Sequence, residues 1–463
     1  MSKILLTIYS SLYEFILANN KSYRLIKFKE LGERLVEPDL SNLIPMHGVD
    51  IDVANDKWIN QRPPLLLHDQ EPMFYKAQAS AYEYWQFCMT SFDNRMVILT
   101  SEKNSPELDE FCKAMDAEPC YWFSNAALAL DWYASGEWNL KHRYKHLTAP
   151  RLQYKFSCLN RLIDGERSYR PVISKLLSDT VNHRYLRLSC NLRDPISGKD
   201  VSQLKLPSKY DRMFKNINYD DPIMINIPSD DLETDRSIPN RSYSLNHQYF
   251  LPVFCHIVTE TLFMGDTLHL TEKSLRAFAN KRPMLVLGPP GTLDLLKSYG
   301  FKTFDRWWDE SYDNITNPWV RLEAVMEIVQ QINSYSFEQL ESILDQMMPI
   351  LQHNFDLFYG DFRKIIMQEL VTNLNEATAK AKAKQPSGWM IKRIESLTDE
   401  QIKTLILGDI GDEIQNKELY ASIRSGDYSK VDKNLSRFLK KYLEIKEDAS
   451  KADILANIKL ILD

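Results

Sequence analysis

The stretch from His269 to Phe301, HLTEKSLRAFANKRPMLVLGPPGTLDLLKSYGF, leaves few folds open. A helix starting near Thr271 carries Glu272 and Lys273 in its first turn, where unbonded amides and the positive end of the helix dipole favour anions. Leu275, Phe278 and Ala279 form its inner face, and Pro283 ends it. Met284–Leu287 carries no polar residue, so it reads as a fully buried parallel strand. Gly288-Pro289-Pro290-Gly291 turns the chain at the carboxyl end of that strand, and Thr292 opens a second helix. This order specifies an open α/β sheet, in which ligands bind beyond the carboxyl ends of the strands. The turn is not a Walker loop, because no Lys follows Gly291, and no dinucleotide fingerprint occurs.

The rest of the chain extends the pattern. Ile4–Tyr9, Leu65–Leu67 and Met96–Thr100 read as strands, the last leading into a capped helix in SEKNSPELDEFCKAM. A second α/β region begins near Tyr154–Leu159 and is clearest between Phe250 and Phe304. From Arg321 the spacing turns helical, with Leu322, Val325, Met326 and Val329 on one face, and Ser336 to Gln339 spell a capping box. Residues 376–388, EATAKAKAKQPSG, lack large apolar side chains and read as a frayed helix followed by a linker; Thr398-Asp399-Glu400-Gln401 starts a helical appendage. A length of 463 residues, 44% of them hydrophobic, suits two or three domains. The expected division is 1–150, 151–352, a return helix and linker over 353–384, and helices over 385–463.

The net charge of −6 is unevenly spread. Residues 1–140 hold 12 Lys and Arg against 20 Asp and Glu, whereas 141–215 hold 17 against 6, a local balance of +11. A basic block in an acidic chain is either a surface for phosphates or an ordinary solvated face. The six cysteines are scattered without metal-site spacing, which suits reduced thiols in a cytoplasm and no structural metal. No run of about eighteen apolar residues occurs, so no membrane span is expected.

Two sets of residues resemble the GT-B glycosyltransferases, specifically the nucleotide-sugar half of fucosyltransferase-like and phage-encoded members. The first is Lys155-Phe156-Ser157-Cys158-Leu159-Asn160-Arg161, with Arg167 and Arg170 downstream. The second is Thr259-Glu260, then Thr271-Glu272-Lys273, then Arg282-Pro283 leading to Gly288; the continuation GFKTFDRWWDESYDNI is similar to phage enzymes in particular. The likeness covers roughly residues 150–330. It implies two Rossmann-like domains facing a cleft, a nucleoside diphosphate sugar as donor substrate, UDP-sugar favoured, and no permanently bound cofactor. An enzyme of this kind without a metal neutralises the leaving diphosphate with cations and helix N-termini. Lys273, Arg161 and the amides after Gly291 are the candidates, with Asn160, Thr271 and Gly288 beside them. Glu272 would accept bonds from ribose or sugar hydroxyls, and Glu260 would serve the sugar. On position alone, Glu272 and Lys273 are also ordinary first-turn surface residues.

An inverting enzyme needs a base from the other domain. In LLLHDQEPMFY, His68, Asp69 and Glu71 follow a buried strand at its carboxyl end; Asp69 or Glu71 would take the acceptor proton and His68 would orient it. Asp69 is equally suited to capping the next helix. The phage likeness implies a hydroxymethylated base, 5-hydroxymethylcytosine, as acceptor, flipped out of double-stranded DNA in the host cytoplasm. Arg143, Lys145, Arg167 and Arg170 are then candidate phosphate or DNA contacts. A lipopolysaccharide or capsule acceptor, and a non-catalytic sugar-nucleotide-binding protein, are the competing readings.

Overall fold

The computed structural model of the protein describes residues 44–46, 64–68, 97–115, 117–134, 151–227, 250–384, 394–402 and 449–462. It is mixed α/β with two mostly parallel sheets. In the first, β1 (Ile44–Met46), β2 (Pro64–His68), β3 (Val97–Thr100) and β4 (Glu118–Tyr121) lie side by side in chain order, all parallel. Both strands expected here among the described residues are present, and the register sets His68 beside Thr100 at the carboxyl edge. β3 is buried along its whole length. Parallel neighbours need a crossover, and α1 (Pro106–Met115) supplies it between β3 and β4. The Ser105 hydroxyl caps α1 by accepting the Leu108 amide at 3.3 Å. The strand expected at Ile4–Tyr9 lies outside the described residues.

The second sheet joins β5 (Tyr154–Asn160), β6 (Leu186–Cys190), β7 (Ile223–Ile225), β8 (Val253–Thr259) and β9 (Met284–Leu287) in the spatial order β7-β6-β5-β8-β9. Only the edge strand β7 is antiparallel. The chain therefore winds outward from β5 to one edge, then returns to the other side of β5 at β8. Between β5 and β8 the winding reverses, and in open α/β sheets that reversal opens a ligand crevice.

Helix α4 (Glu272–Ala279) connects β8 to β9, begins after the cap Thr271, and buries Leu275, Phe278 and Ala279, the face expected of it. β9 has the predicted limits and α5 (Thr292–Ser298) follows Gly291. Helix α6 (Pro318–Ser334) starts at the cap Asn317, whose side chain accepts the Trp319 and Val320 amides. The box expected at the start of α7 (Phe337–Tyr359) closes reciprocally, with Ser336 N–H to Gln339 at 2.8 Å and Gln339 N–H to Ser336 at 3.3 Å. The same exchange links Thr398 and Gln401. The division expected between 352 and 353 falls inside α7, and the chain turns at Gly360 instead.

Helix α8 (Phe362–Ala383) carries the chain back to the first sheet. Met367, Leu370, Leu374, Ala377 and Ala381 pack against Val97, Leu99, Cys120 and Trp122 in one core. Hydrogen bonds fix the crossing: Trp122 Nε1 donates to the Ile366 carbonyl at 2.9 Å, and Asn373 Nδ2 to the Tyr121 carbonyl at 2.8 Å. The stretch expected to fray instead stays helical to Ala383, because its alanines let the helix approach closely enough to bury Ala377 and Ala381.

The two sheets meet through the segments beyond β3 and β8. Lys103 and Leu268 exchange backbone bonds of 2.9 and 2.8 Å, Ser101 Oγ lies 3.0 Å from His269 Nδ1, and Asn125 donates to the Leu270 carbonyl at 3.2 Å. Leu370 sits at the centre of the α8 contact, 3% exposed. Leu370→Ala is expected to lower the unfolding free energy by about 2–5 kcal/mol in urea titrations, the cost of a buried cavity; a loss well below that range would mean that α8 does not hold the first sheet.

Candidate functional site

The strand ends at the reversal are held by side chains. Thr259 Oγ1 donates to Asn160 Oδ1 at 2.5 Å, and Asn160 Nδ2 donates to Ser174 Oγ at 3.1 Å. Asn160 thus ties β5, β8 and α3 (Tyr169–Thr180) together in a buried position, with its amide committed to protein groups. Arg170 is used similarly: its guanidinium donates to the carbonyls of Leu162, Thr259 and Glu260 at 3.0–3.1 Å. Expected as a phosphate contact, it instead satisfies backbone oxygens where two strands end. Arg167 is 5% exposed, which differs from the solvated position that a DNA contact needs. Arg161 remains half-buried on the rim, and its carbonyl accepts from Asn191 at 3.0 Å.

Glu260 is fully buried under the start of α4. One carboxylate oxygen accepts from the Thr271 hydroxyl and the other from Ser274 Oγ at 2.6 Å. Both oxygens are therefore occupied by the helix they anchor, a different role from the sugar contact expected of it. Thr271 Oγ1 also receives the Lys273 ammonium at 3.2 Å, and that ammonium lies 3.2 Å from Glu272 Oε1. Burial opposes the charge of Glu272, but Lys273 and Arg276 outweigh it and hold the carboxyl below its usual range. Lys273 has two of its three N–H groups matched by these partners, and its side chain is 29% exposed.

Above β5 and β8, on the side covered by α4, lies a cavity of about 50 Å³. Phe250, Ser157, His256, Thr259, Lys273 and Arg276 line it, with Leu159, Val258 and Ala277 as apolar wall. Lys273 and Arg276 stand three residues apart, one helical turn, and so share a face. Ser157 and His256 are register partners on the adjacent strands, with Ser157 Oγ 2.5 Å from His256 Nδ1. His256 is 5% exposed; burial first, then Arg282 and Arg276, lowers its pKa to about 3, so the ring is neutral at pH 7. Its Nε2 is sealed from solvent without a hydrogen bond, although the Phe250 backbone favours a proton on the ring. Two cations, one neutral ring and the hydroxyls of Ser157 and Thr259 around a small cavity suit a single anionic group.

The Gly288–Gly291 turn departs from the phosphate cradle expected of it. Gly291 adopts φ 81°, and its amide donates to the Asp313 carbonyl at 2.8 Å. The Leu293 amide donates to the Asp313 carboxylate at 2.9 Å. A side chain from the DESYD stretch already fills the helix terminus, with its pKa raised to about 6 by burial. Gly288 is required for close packing, since a Cβ there would lie 2.6 Å from Thr292 Oγ1.

Of the residues expected in the other half, Asp69, Glu71, Arg143 and Lys145 lie outside the described residues, and His68 is described as the last residue of β2. Ser157, His256 and Arg276 were not anticipated. Arg276 was visible as the next cation on the Lys273 face, whereas the serine–histidine pair depends on a strand register that the sequence does not display. Among the described residues, no group of three or more His, Cys, Asp or Glu side chains is placed to hold a metal ion, and no helix is long and apolar enough to cross a membrane.

His256 carries a pH signature. A ring with pKa about 6.5 when unfolded and about 3 when folded contributes stability that is complete above pH 6.5 and lost as the pH falls toward 3. The unfolding free energy from urea titrations between pH 7 and 4 should therefore fall less steeply in His256→Asn than in the wild type; equal slopes would contradict a buried neutral ring. Compared with protein-family models, curated proteins and solved structures, the chain matches none.

Proposed function

We propose that the protein is a metal-independent glycosyltransferase of GT-B type, moving a pentose or hexose from a nucleoside diphosphate sugar, UDP-sugar favoured, to a hydroxyl acceptor. The observation that carries the reading is the pair Lys273 and Arg276, presented into a cavity by a helix that starts where β8 ends, beside the reversal of strand order. Glycosyl transfer leaves negative charge on the departing diphosphate. Fixed cations in a partly dry site stabilise that charge more than they stabilise the intact donor.

The general base in this reading is Asp69 or Glu71. Support comes from the position of β2: its last residue, His68, lies beside Thr100, and the segment after Thr100 bonds to Leu268 and His269, just ahead of Thr271. The carboxyl end of β2 and the start of α4 therefore face the same junction. The favoured acceptor is 5-hydroxymethylcytosine flipped from phage DNA, a reading that rests on the resemblance and on the local balance of +11 over residues 141–215, of whose cations Lys155, Arg167 and Arg170 are buried.

Lys273→Ala is expected to weaken UDP binding roughly tenfold or more in calorimetry, the loss of a charged hydrogen bond. Asp69→Asn or Glu71→Gln should keep donor affinity and lose turnover by about 10²–10⁴; full activity in both would remove the base assignment. The acceptor is tested by mass spectrometry of nucleosides from hydroxymethylcytosine-containing DNA incubated with a donor panel. A gain of one pentose or hexose supports DNA modification. Transfer to a lipopolysaccharide or capsule glycan alone would replace that acceptor, and UDP binding with no transfer to any acceptor would make the protein a sugar-nucleotide-binding module.

A further inference from the structure

We infer that Arg276 is the second ligand of the anion held by Lys273, and that Tyr133, from the helix into which the last strand of the first sheet leads, positions it, so that anion binding couples the two halves. The inference deepens the proposed donor site and rests on it only for the identity of the anion.

Arg276 and Lys273 line the same cavity from one helix face. The Nε–H of Arg276 donates to the Tyr133 hydroxyl at 3.2 Å, and the guanidinium lies 5.9 Å from the Tyr133 ring and 5.5 Å from the Phe250 ring. A guanidinium held at Nε by the Tyr133 hydroxyl, with the Phe250 ring beside it, has its orientation set, which is what planar recognition of a phosphate oxygen pair requires. Tyr133 belongs to α2 (Ser124–Ala134) and is fully buried. Burial pushes its phenol up to about 12, so it stays protonated and remains an acceptor for Nε–H throughout the physiological range. The neighbouring helix contacts repeat the link, since Asn125 on α2 bonds the Leu270 carbonyl just before α4.

Arg161 was the partner expected for Lys273, but it does not line the cavity, whereas Arg276 does. His256 lines the same cavity with a buried, neutral ring whose Nδ1 is taken by Ser157; with Ser157 donating to Nδ1, the hydrogen sits on Nε2, where an oxyanion would accept it. Ligand binding then tightens a contact made by α2 and α4 together, and the junction between the sheets stiffens.

The test uses the full chain with inorganic pyrophosphate and UDP as probes. Calorimetry should show salt-sensitive binding to the wild type, at least about tenfold weaker in Arg276→Ala and not restored by Arg276→Lys, which keeps the charge but loses the fork. Tyr133→Phe keeps the buried ring and should weaken both probes roughly three- to tenfold. Amide hydrogen exchange over residues 124–134 should slow on adding pyrophosphate to the wild type and not to Tyr133→Phe, a readout that a purely structural tyrosine would not move. Melting without ligand identifies any variant that fails to fold, and Lys380→Ala, on the exposed face of α8, serves as the unaffected control. No binding of either probe to the wild type, or wild-type affinity in Arg276→Ala, overturns the inference; wild-type affinity and protection in Tyr133→Phe overturn the positioning role. Anion binding that depends on both residues without sugar transfer to any acceptor would sustain it while ending the glycosyltransferase reading.

Discussion

The buried carboxylate of Glu260 is the point on which the cavity depends. A charge without solvent exposure must be matched by protein donors, and Glu260 is matched by Thr271 and Ser274, both on the first turn of α4 or its cap. The backbone carbonyl of the same residue accepts from Tyr169 at 2.7 Å and Arg170 at 3.0 Å. One residue therefore pins the end of β8 to α3 on one side of the sheet and to α4 on the other. The direction in which Lys273 and Arg276 leave α4 follows from that anchorage, and so does the width of the space between α4 and the two central strands.

Local punctuation made much of this architecture legible. The apolar run Met284–Leu287 and Gly291 delimit β9 and α5 because each acts on the backbone where it stands, whereas α4 ends ahead of Pro283, at Ala279, with Lys281 in the left-handed region at φ 50°. The capping box at Ser336 and the helix start at Thr398 were readable for the same reason. Long-range choices were not. Asn160 and Arg170 have the right residue types for a ligand site, yet they bond Thr259, Ser174 and strand-end carbonyls, because the partner of a polar group is decided by strand order. Asp313 shows the same limit: nothing local marks it as the group that would occupy the helix terminus behind Gly291. Alanines in α8 read as weak packing residues and serve as close-packing ones, a distinction that only the opposing strand makes.

Polar groups also organise the interior away from the cavity. Lys155, from the strand that looked like part of a donor motif, donates to the carbonyls of Asn333 and Tyr335 at 2.5 and 2.7 Å and so closes the end of α6. Burial lowers its pKa, an effect consistent with an ammonium held among carbonyls rather than in water. Asp194 accepts four backbone amides, from Ile163, Asp164, Ile196 and Ser197, and joins the loops after β5 and β6 into one rim. The loops after β5 and β6 are thus held together by one carboxylate that four backbone amides satisfy.

The α8 crossing has a consequence for biosynthesis. Val97 and Leu99 leave the ribosome long before Leu370 and Leu374, the side chains that cover them. At roughly 5–20 residues per second, the nascent first sheet waits on the order of ten seconds or more with an apolar surface uncovered. Its maturation is tied to the late arrival of a distant helix, so a stalled or truncated message yields a product with a sticky, half-finished face that chaperones and proteases would recognise.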